Sequence, residues 1–197
     1  MKHQWSRLGL QLKLQILIQG FMLLVLLTAQ LWVSSQLEQR AIHAAQDRSA
    51  MVADGVINAL TTLMSAKVGD RDVIDDPKIR DLFIRKMGES DELKELRVVR
   101  GKGVIDEFGP GLPNQKPVDD LDRQVLANGR TLYQVDGSNA TLRAVIPYIA
   151  KKNFRGSKCL ECHGVDENAV LGAISITSDI QSDKADIRNI NRWLWLG

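Results

Sequence analysis

Residues 131–149 read TLYQVDGSNATLRAVIPYI, two β-rich runs at 131–135 and 140–149 joined across Asp136-Gly137-Ser138-Asn139. A short polar turn containing Gly between two such runs predicts an antiparallel hairpin. On its carboxyl side, residues 170–176 read VLGAISI, an almost wholly apolar run that predicts a buried strand over 170–177. On its amino side, Leu93, Leu96, Val98 and Val99 lead to Arg100-Gly101-Lys102-Gly103 and then to Val104, Ile105 and Phe108, which predicts strand, turn, strand. These runs predict an α+β fold, an antiparallel sheet of about five strands flanked by helices.

The flanking helices are legible from their stops and caps. Residues 34–68 contain no Pro and only Gly55, and predict a long helix with Val52, Val56, Ala59, Leu60, Leu63 and Met64 along its apolar face until Gly69 and Asp70 end it. Asp76 and Pro77 open a second helix that carries Ile79, Leu82, Phe83 and Met87 to a stop at Gly88. Residues 117–127 form another, closed by Asn128-Gly129, and a last helix is expected from Ser178 into Trp193.

Ahead of these, residues 16–33 read ILIQGFMLLVLLTAQLWV, and about 20 such residues span a bilayer as a helix. Lys2, Arg7 and Lys13 precede it with no acidic residue, so the basic flank is expected to stay in the cytoplasm and the remainder to be exported. The rival reading, a cleaved signal peptide, would have a shorter apolar core and a clear A-x-A site. At the far end Trp193, Leu194, Trp195 and Leu196 suggest the start of a second span in a fragment of a longer protein, against the plainer reading of a terminal helix docked on the domain. The expected organisation is a cytoplasmic terminus at 1–13, a transmembrane helix at 14–33, an exported domain at 34–190 and a truncated second span at 191–197.

With 44% hydrophobic residues, 25% charged residues and a net charge of +2, disorder is excluded as the main state, and no concentrated basic stripe marks a nucleic-acid partner. No Ser/His/Asp set, phosphate-cradling Gly loop or paired catalytic carboxylates is visible, so the chain is not expected to be an enzyme and no catalytic residue is assigned.

The chemistry lies in Cys159-Leu160-Glu161-Cys162-His163, which uses both cysteines of the chain. The pattern C-x-x-C-H is the attachment site of c-type haem: the two thiols add to the two vinyl groups and the His supplies an imidazole to the iron. One covalent haem c on Cys159 and Cys162, with His163 as proximal iron ligand, is therefore expected. A thioredoxin-like dithiol would want a βαβ setting and would not need His163. A zinc site needs four ligands, and only His3 and His43 remain as further soft ones. A disulfide across two intervening residues would be strained. For the second axial position Met64 is preferred, at the end of the long helix on its apolar face, over Met51, Met87, His43 or water, although a helical Met more often simply fills a core. Tyr148 and Phe154 are expected to wall the haem pocket, together with Pro147.

The segments NALTTLM at 58–64, ELRVVR at 95–100, FGPG at 108–111, IPYIA at 146–150, CLECH at 159–163 and LGAIS at 171–175 resemble the periplasmic haem c-containing PAS-like sensor domains of bacterial methyl-accepting chemotaxis receptors and related two-span signalling proteins. The resemblance implies a PAS-like fold, a haem held by Cys159, Cys162 and His163, a Met from the first helix as sixth ligand, best matched by Met64, and a homodimer. It also implies a HAMP linker and a methyl-accepting, kinase or cyclase output beyond the second span, none of which lies in these residues.

The expectation that follows is a sensor anchored in the bacterial inner membrane, its domain in the periplasm, that detects redox state or a diatomic gas such as NO, CO or O2 and signals across the membrane. An anchored electron-transfer cytochrome working with a redox partner is the alternative. A third reading makes the pocket an organic-acid site in which Arg97, Arg100, Tyr133, Arg143 and Tyr148 bind a carboxylate.

Overall fold

A computed structural model describes residues 9–138 and 140–181, together with Ala185, Ile187, Asn189 and Arg192. It is an α+β structure. The first helix, α1 (Leu10–Ser65), is continuous over 56 residues. A two-stranded ladder follows, β1 (Lys67–Val68) with β2 (Arg71–Asp72), turning at Gly69 with φ 66°. Helix α2 (Pro77–Gly88) comes next, then β3 (Leu93–Arg100), α3 (Lys102–Phe108), α4 (Asp120–Asn128), β4 (Leu132–Asp136), β5 (Thr141–Ile149), the single turn α5 (Cys159–Cys162) and β6 (Val170–Asp179). The main sheet is four-stranded and antiparallel, ordered β3-β6-β5-β4.

The chain divides into two units, and the sheet belongs to the one formed by Ile42–Ser182. The other unit holds the amino-terminal part of α1, whose most apolar 18-residue window has a mean hydropathy of 2.1 and no buried residue. Among the described residues α1 is the one helix long and apolar enough to cross a membrane. Residues 1–8 of the expected cytoplasmic terminus, and the expected second span at 191–197 apart from Arg192, lie outside the described residues.

Four strands replace the expected five. Residues 102–108 form a helix because the strand has to end at Gly101, whose N–H donates to Leu171 O at 2.8 Å, and where a Cβ would lie 2.5 Å from Val170 O. Beyond that pinch, Val104, Ile105 and Phe108 fall at i, i+1 and i+4, a helical spacing that their β-branched and aromatic side chains disguise. The last helix also starts later than expected, since β6 runs on to Asp179 with Ser178 paired to Leu142; most of its length lies outside the described residues. The hairpin, the 117–127 helix and the cap of α2 stand where the sequence put them. Asp76 accepts from Lys78 N at 2.8 Å and Ile79 N at 3.4 Å, and Gly129, with φ 65°, closes α4.

Both faces of the sheet are covered. On one, Ala53, Val56, Ile57 and Leu60 of α1 pack on Ile174 and Ile176, with Val98 and Ile146 around them. The buried stripe is thus rotated toward Ala53 and Ile57 from the face expected through Val52, Ala59 and Leu63. Burial of each large aliphatic side chain here stabilises the fold by about 1.5–3 kcal/mol. Helix α2 is rotated as well: Ile79 and Leu82 are exposed, and the inward positions are Arg80, Phe83, Ile84 and Met87 at i, i+3, i+4 and i+7.

On the other face, α4 buries Val125 against Val145 and Ala173. It is locked there by Asp122, fully buried, which accepts from Arg97 Nη2 at 2.9 Å, Arg143 Nη2 at 2.7 Å and Val118 N at 3.0 Å. Replacing Asp122→Ala leaves two guanidinium groups without their buried partner and is expected to cost about 3–5 kcal/mol, read as a fall in the urea midpoint of the full chain in detergent.

Candidate functional site

After β5 the chain makes an excursion before returning as β6, and the neck is closed by Ala150 N to Ala169 O and Asn168 N to Ala150 O, both 2.8 Å. Within it Phe154 and Ser157 pair across a tight turn, and Arg155 reaches Asp54 of α1 at 2.8 Å while its guanidinium lies 5.4 Å from the Phe154 ring centroid. The loop then winds into α5, where residues at i and i+3 share one side of the turn. Cys159 is buried with Ala150 and Leu171, whereas Cys162 is exposed, and both thiols are free. Tyr148 Oη lies 3.5 Å from Cys159 Sγ, and the Tyr148 ring meets Phe154 edge-on at 6.0 Å. Burial, and next the contact with Cys159, push the Tyr148 phenol well above its usual pKa, so it remains a hydroxyl at neutral pH.

His163 follows the turn, its N–H donating to Cys159 O at 3.0 Å, and it is 8% exposed. Its Nδ1 lies 3.1 Å from Glu107 Oε2, and the other oxygen of Glu107 accepts from Gly164 N. A carboxylate only accepts, so the ring proton belongs on Nδ1 and the lone pair on Nε2. This is the orientation in which a metal-ligating imidazole is usually held, with a carboxylate behind it raising its basicity. Phe108 packs edge-on against the His163 ring at 5.4 Å. Both contacts depend on α3 being a helix: in a strand, Glu107 and Phe108 would point to opposite faces.

His163 and Cys162 border a cavity of about 530 Å³, within the range of small-molecule and cofactor sites. Ile57, Leu60 and Met64 of α1 line it, with Ile84 of α2, Val98 and Arg100 of β3, Val104 and Phe108 of α3, and Tyr148. Of the residues expected at the site, Cys162, His163, Tyr148 and Met64 thus share one cavity, while Cys159 and Phe154 pack around Tyr148. Met51 is 66% exposed, His43 is exposed and Met87 packs against the core under α1. Glu107, Phe108 and Arg80 belong to the site and were not picked out from the sequence. The helical spacing of Val104 and Phe108 was the available signal for the first two.

The organic-acid grouping does not assemble. Arg97 and Arg143 lie on the α4 face, occupied by Asp122, and only Arg100 and Tyr148 of that set line the cavity. Among the described residues no three His, Cys, Asp or Glu side chains converge as a metal-holding group of the kind a zinc site would need. Haem iron is carried by its porphyrin and asks the protein only for axial ligands, which His163 and Met64 can offer.

Glu107→Ala removes the acceptor shared by His163 and Gly164 N. It is expected to cost about 1–3 kcal/mol of stability and to abolish the preference for the Nδ1–H tautomer, read from the ¹⁵N shifts of His163 in the metal-free chain. Compared with known proteins, the chain matches no family model and no curated protein.

Proposed function

We propose that the chain is a membrane-anchored c-type haem sensor of redox state or of a diatomic gas, acting as a homodimer, with its domain in the periplasm and its anchor in the bacterial inner membrane. The observation that supports this most is that the Cys159–Cys162 turn, an imidazole backed by Glu107 and the thioether of Met64 come together around one apolar cavity. A haem bound there would supply an iron able to change oxidation state and to exchange a ligand.

In this reading Cys159 and Cys162 would hold the group as thioethers and His163 Nε2 would be an iron ligand. Glu107 orients the ring. Ile57, Leu60, Ile84 and Val98 would keep water from the group, and Met64 would be a second iron ligand. Met64 is the penultimate residue of α1, the same helix whose earlier turns form the apolar stretch. Were Met64 to part from the group, the last turn of α1 would be freed while the Ala53–Leu60 face stays packed on the sheet, and a change in the cavity would become a change in how that helix ends. A two-state device of this kind requires only a few kcal/mol of differential interaction.

The test is an absorption spectrum of the full chain, in membranes of a strain competent for c-type haem attachment, taken oxidised, reduced and reduced under CO. Haem that stays on the polypeptide after denaturation, and is lost in Cys159→Ala/Cys162→Ala, is expected. Met64→Ala is expected to change the reduced spectrum and speed CO binding. A folded chain without covalent haem overturns the proposal. Haem that cycles cleanly and refuses CO even in Met64→Ala shifts the assignment to electron transfer.

A further inference from the structure

Two guanidinium groups reach the cavity from different elements, and neither has a carboxylate partner. Arg80 occupies an inward position of α2; its Nη1 donates to Ile74 O at 2.8 Å, but its Nε is buried and makes no hydrogen bond. Arg100, at the end of β3, donates from Nη1 to Gly109 O at 2.8 Å and Phe108 O at 3.2 Å. Among the described residues no Asp or Glu comes within ion-pair distance of either. Asp72 and Asp75 also border the cavity, and Asp72 pairs instead with Lys67 at 3.8 Å. Burial first, and the charge of Arg80 second, lower the pKa of Arg100, as expected where two like charges face a site without an anion between them.

A buried cation without its counter-charge is costly, and guanidinium groups match carboxylates geometrically through paired N–H donors. The rest of the wall, apart from Asp72, Asp75, Gln115, Tyr148, Cys162 and His163, is apolar, and at about 530 Å³ the cavity is far larger than a small organic acid requires. The occupant these walls describe is therefore broad and apolar, with acid groups confined to one edge. We propose that Arg80 and Arg100 form a carboxylate-binding pair in the cavity, and that the carboxylates they take are the propionates of the tetrapyrrole. This rests on the haem reading above, and a free organic acid is the other source of the same chemistry.

The experiment uses the full chain in detergent, produced without haem attachment, titrated with iron mesoporphyrin IX and with its dimethyl ester. Mesoporphyrin has no vinyl groups, so Cys159 and Cys162 remain unreacted and only non-covalent recognition is read. The wild-type chain is expected to bind the diacid at least about tenfold more tightly than the ester, the worth of a charged hydrogen bond. That ratio should fall to about one in Arg80→Gln/Arg100→Gln and be partly kept in Arg80→Lys/Arg100→Lys. A variant that merely folds less well would weaken both ligands alike and leave the ratio in place, and the Lys pair keeps the test decisive if the Gln pair fails to fold.

Tight porphyrin binding with the same ratio in every variant overturns the arginine assignment and leaves the haem reading standing. No porphyrin binding by the wild-type chain, with succinate or benzoate raising its melting temperature only when both arginines are present, overturns the propionate assignment and the haem reading together and identifies a free acid as the occupant. Failure of porphyrin and free acids alike overturns the pair as a carboxylate site.

Discussion

Strand β6 is paired along both edges, with β3 and β5, and covered on both faces, so residues 171–176 have no exit to solvent. A strand in that position can carry only apolar or hydrogen-bonded side chains. Ile174 and Ile176 face α1, Ala173 faces α4, and the one hydroxyl deep in the strand, Ser175, lies within hydrogen-bond distance of Arg97 and Arg143. The same enclosure sets the positions of everything around it. Gly101 must stop β3 where the backbones come closest, which turns the chain into α3 and delivers Glu107 and Phe108 to His163. Gly172, paired with Arg100 and Tyr148, marks another close approach, since a Cβ there would lie 2.4 Å from Val99 O.

The two faces of the sheet treat charge in opposite ways. On the α4 side, two arginines converge on one fully buried carboxylate, and the cluster is complete without any ligand. On the α1 side, two arginines form no ion pair among the described residues, and a carboxylate that is present, Glu107, is committed to His163 and Gly164. The first arrangement holds the fold in register. The second leaves two guanidinium groups lining a cavity and hydrogen-bonded to backbone carbonyls of Ile74, Phe108 and Gly109.

Much of this was legible in the sequence because local signals and tertiary environment agreed. Asp136-Gly137 made the hairpin, Asp76-Pro77 capped α2, Asn128-Gly129 closed α4, and the unbroken run at 170–176 read as a buried strand. The spacing at 159–163 set the expectation of haem attachment, and the structure places Cys162 and His163 at one cavity. Where reading failed, two rules competed. Val104, Ile105 and Phe108 are β-formers at helical spacing, and the nearby glycines suggested a hairpin when the real constraint was close contact with a strand 70 residues away. In α2 the apolar residues Ile79 and Leu82 outvoted Arg80, because hydropathy alone cannot show that a cation occupies an inward position. Met64 was placed by the apolar face of α1, although that face is turned by about one position from the one expected. Glu107 carried no signal beyond the helical spacing of Val104 and Phe108, since its role comes from a partner 56 residues away.

The two cysteines are unequal in access. Cys162 meets solvent, whereas Cys159 is closed in by Tyr148, Ala150 and Leu171, behind a neck that the backbone of Ala150 ties shut. A reagent or enzyme arriving at the finished fold meets one sulfur and not the other. A single group joined to both sulfurs would have to reach Cys159 before residues 151–168 fold back over it.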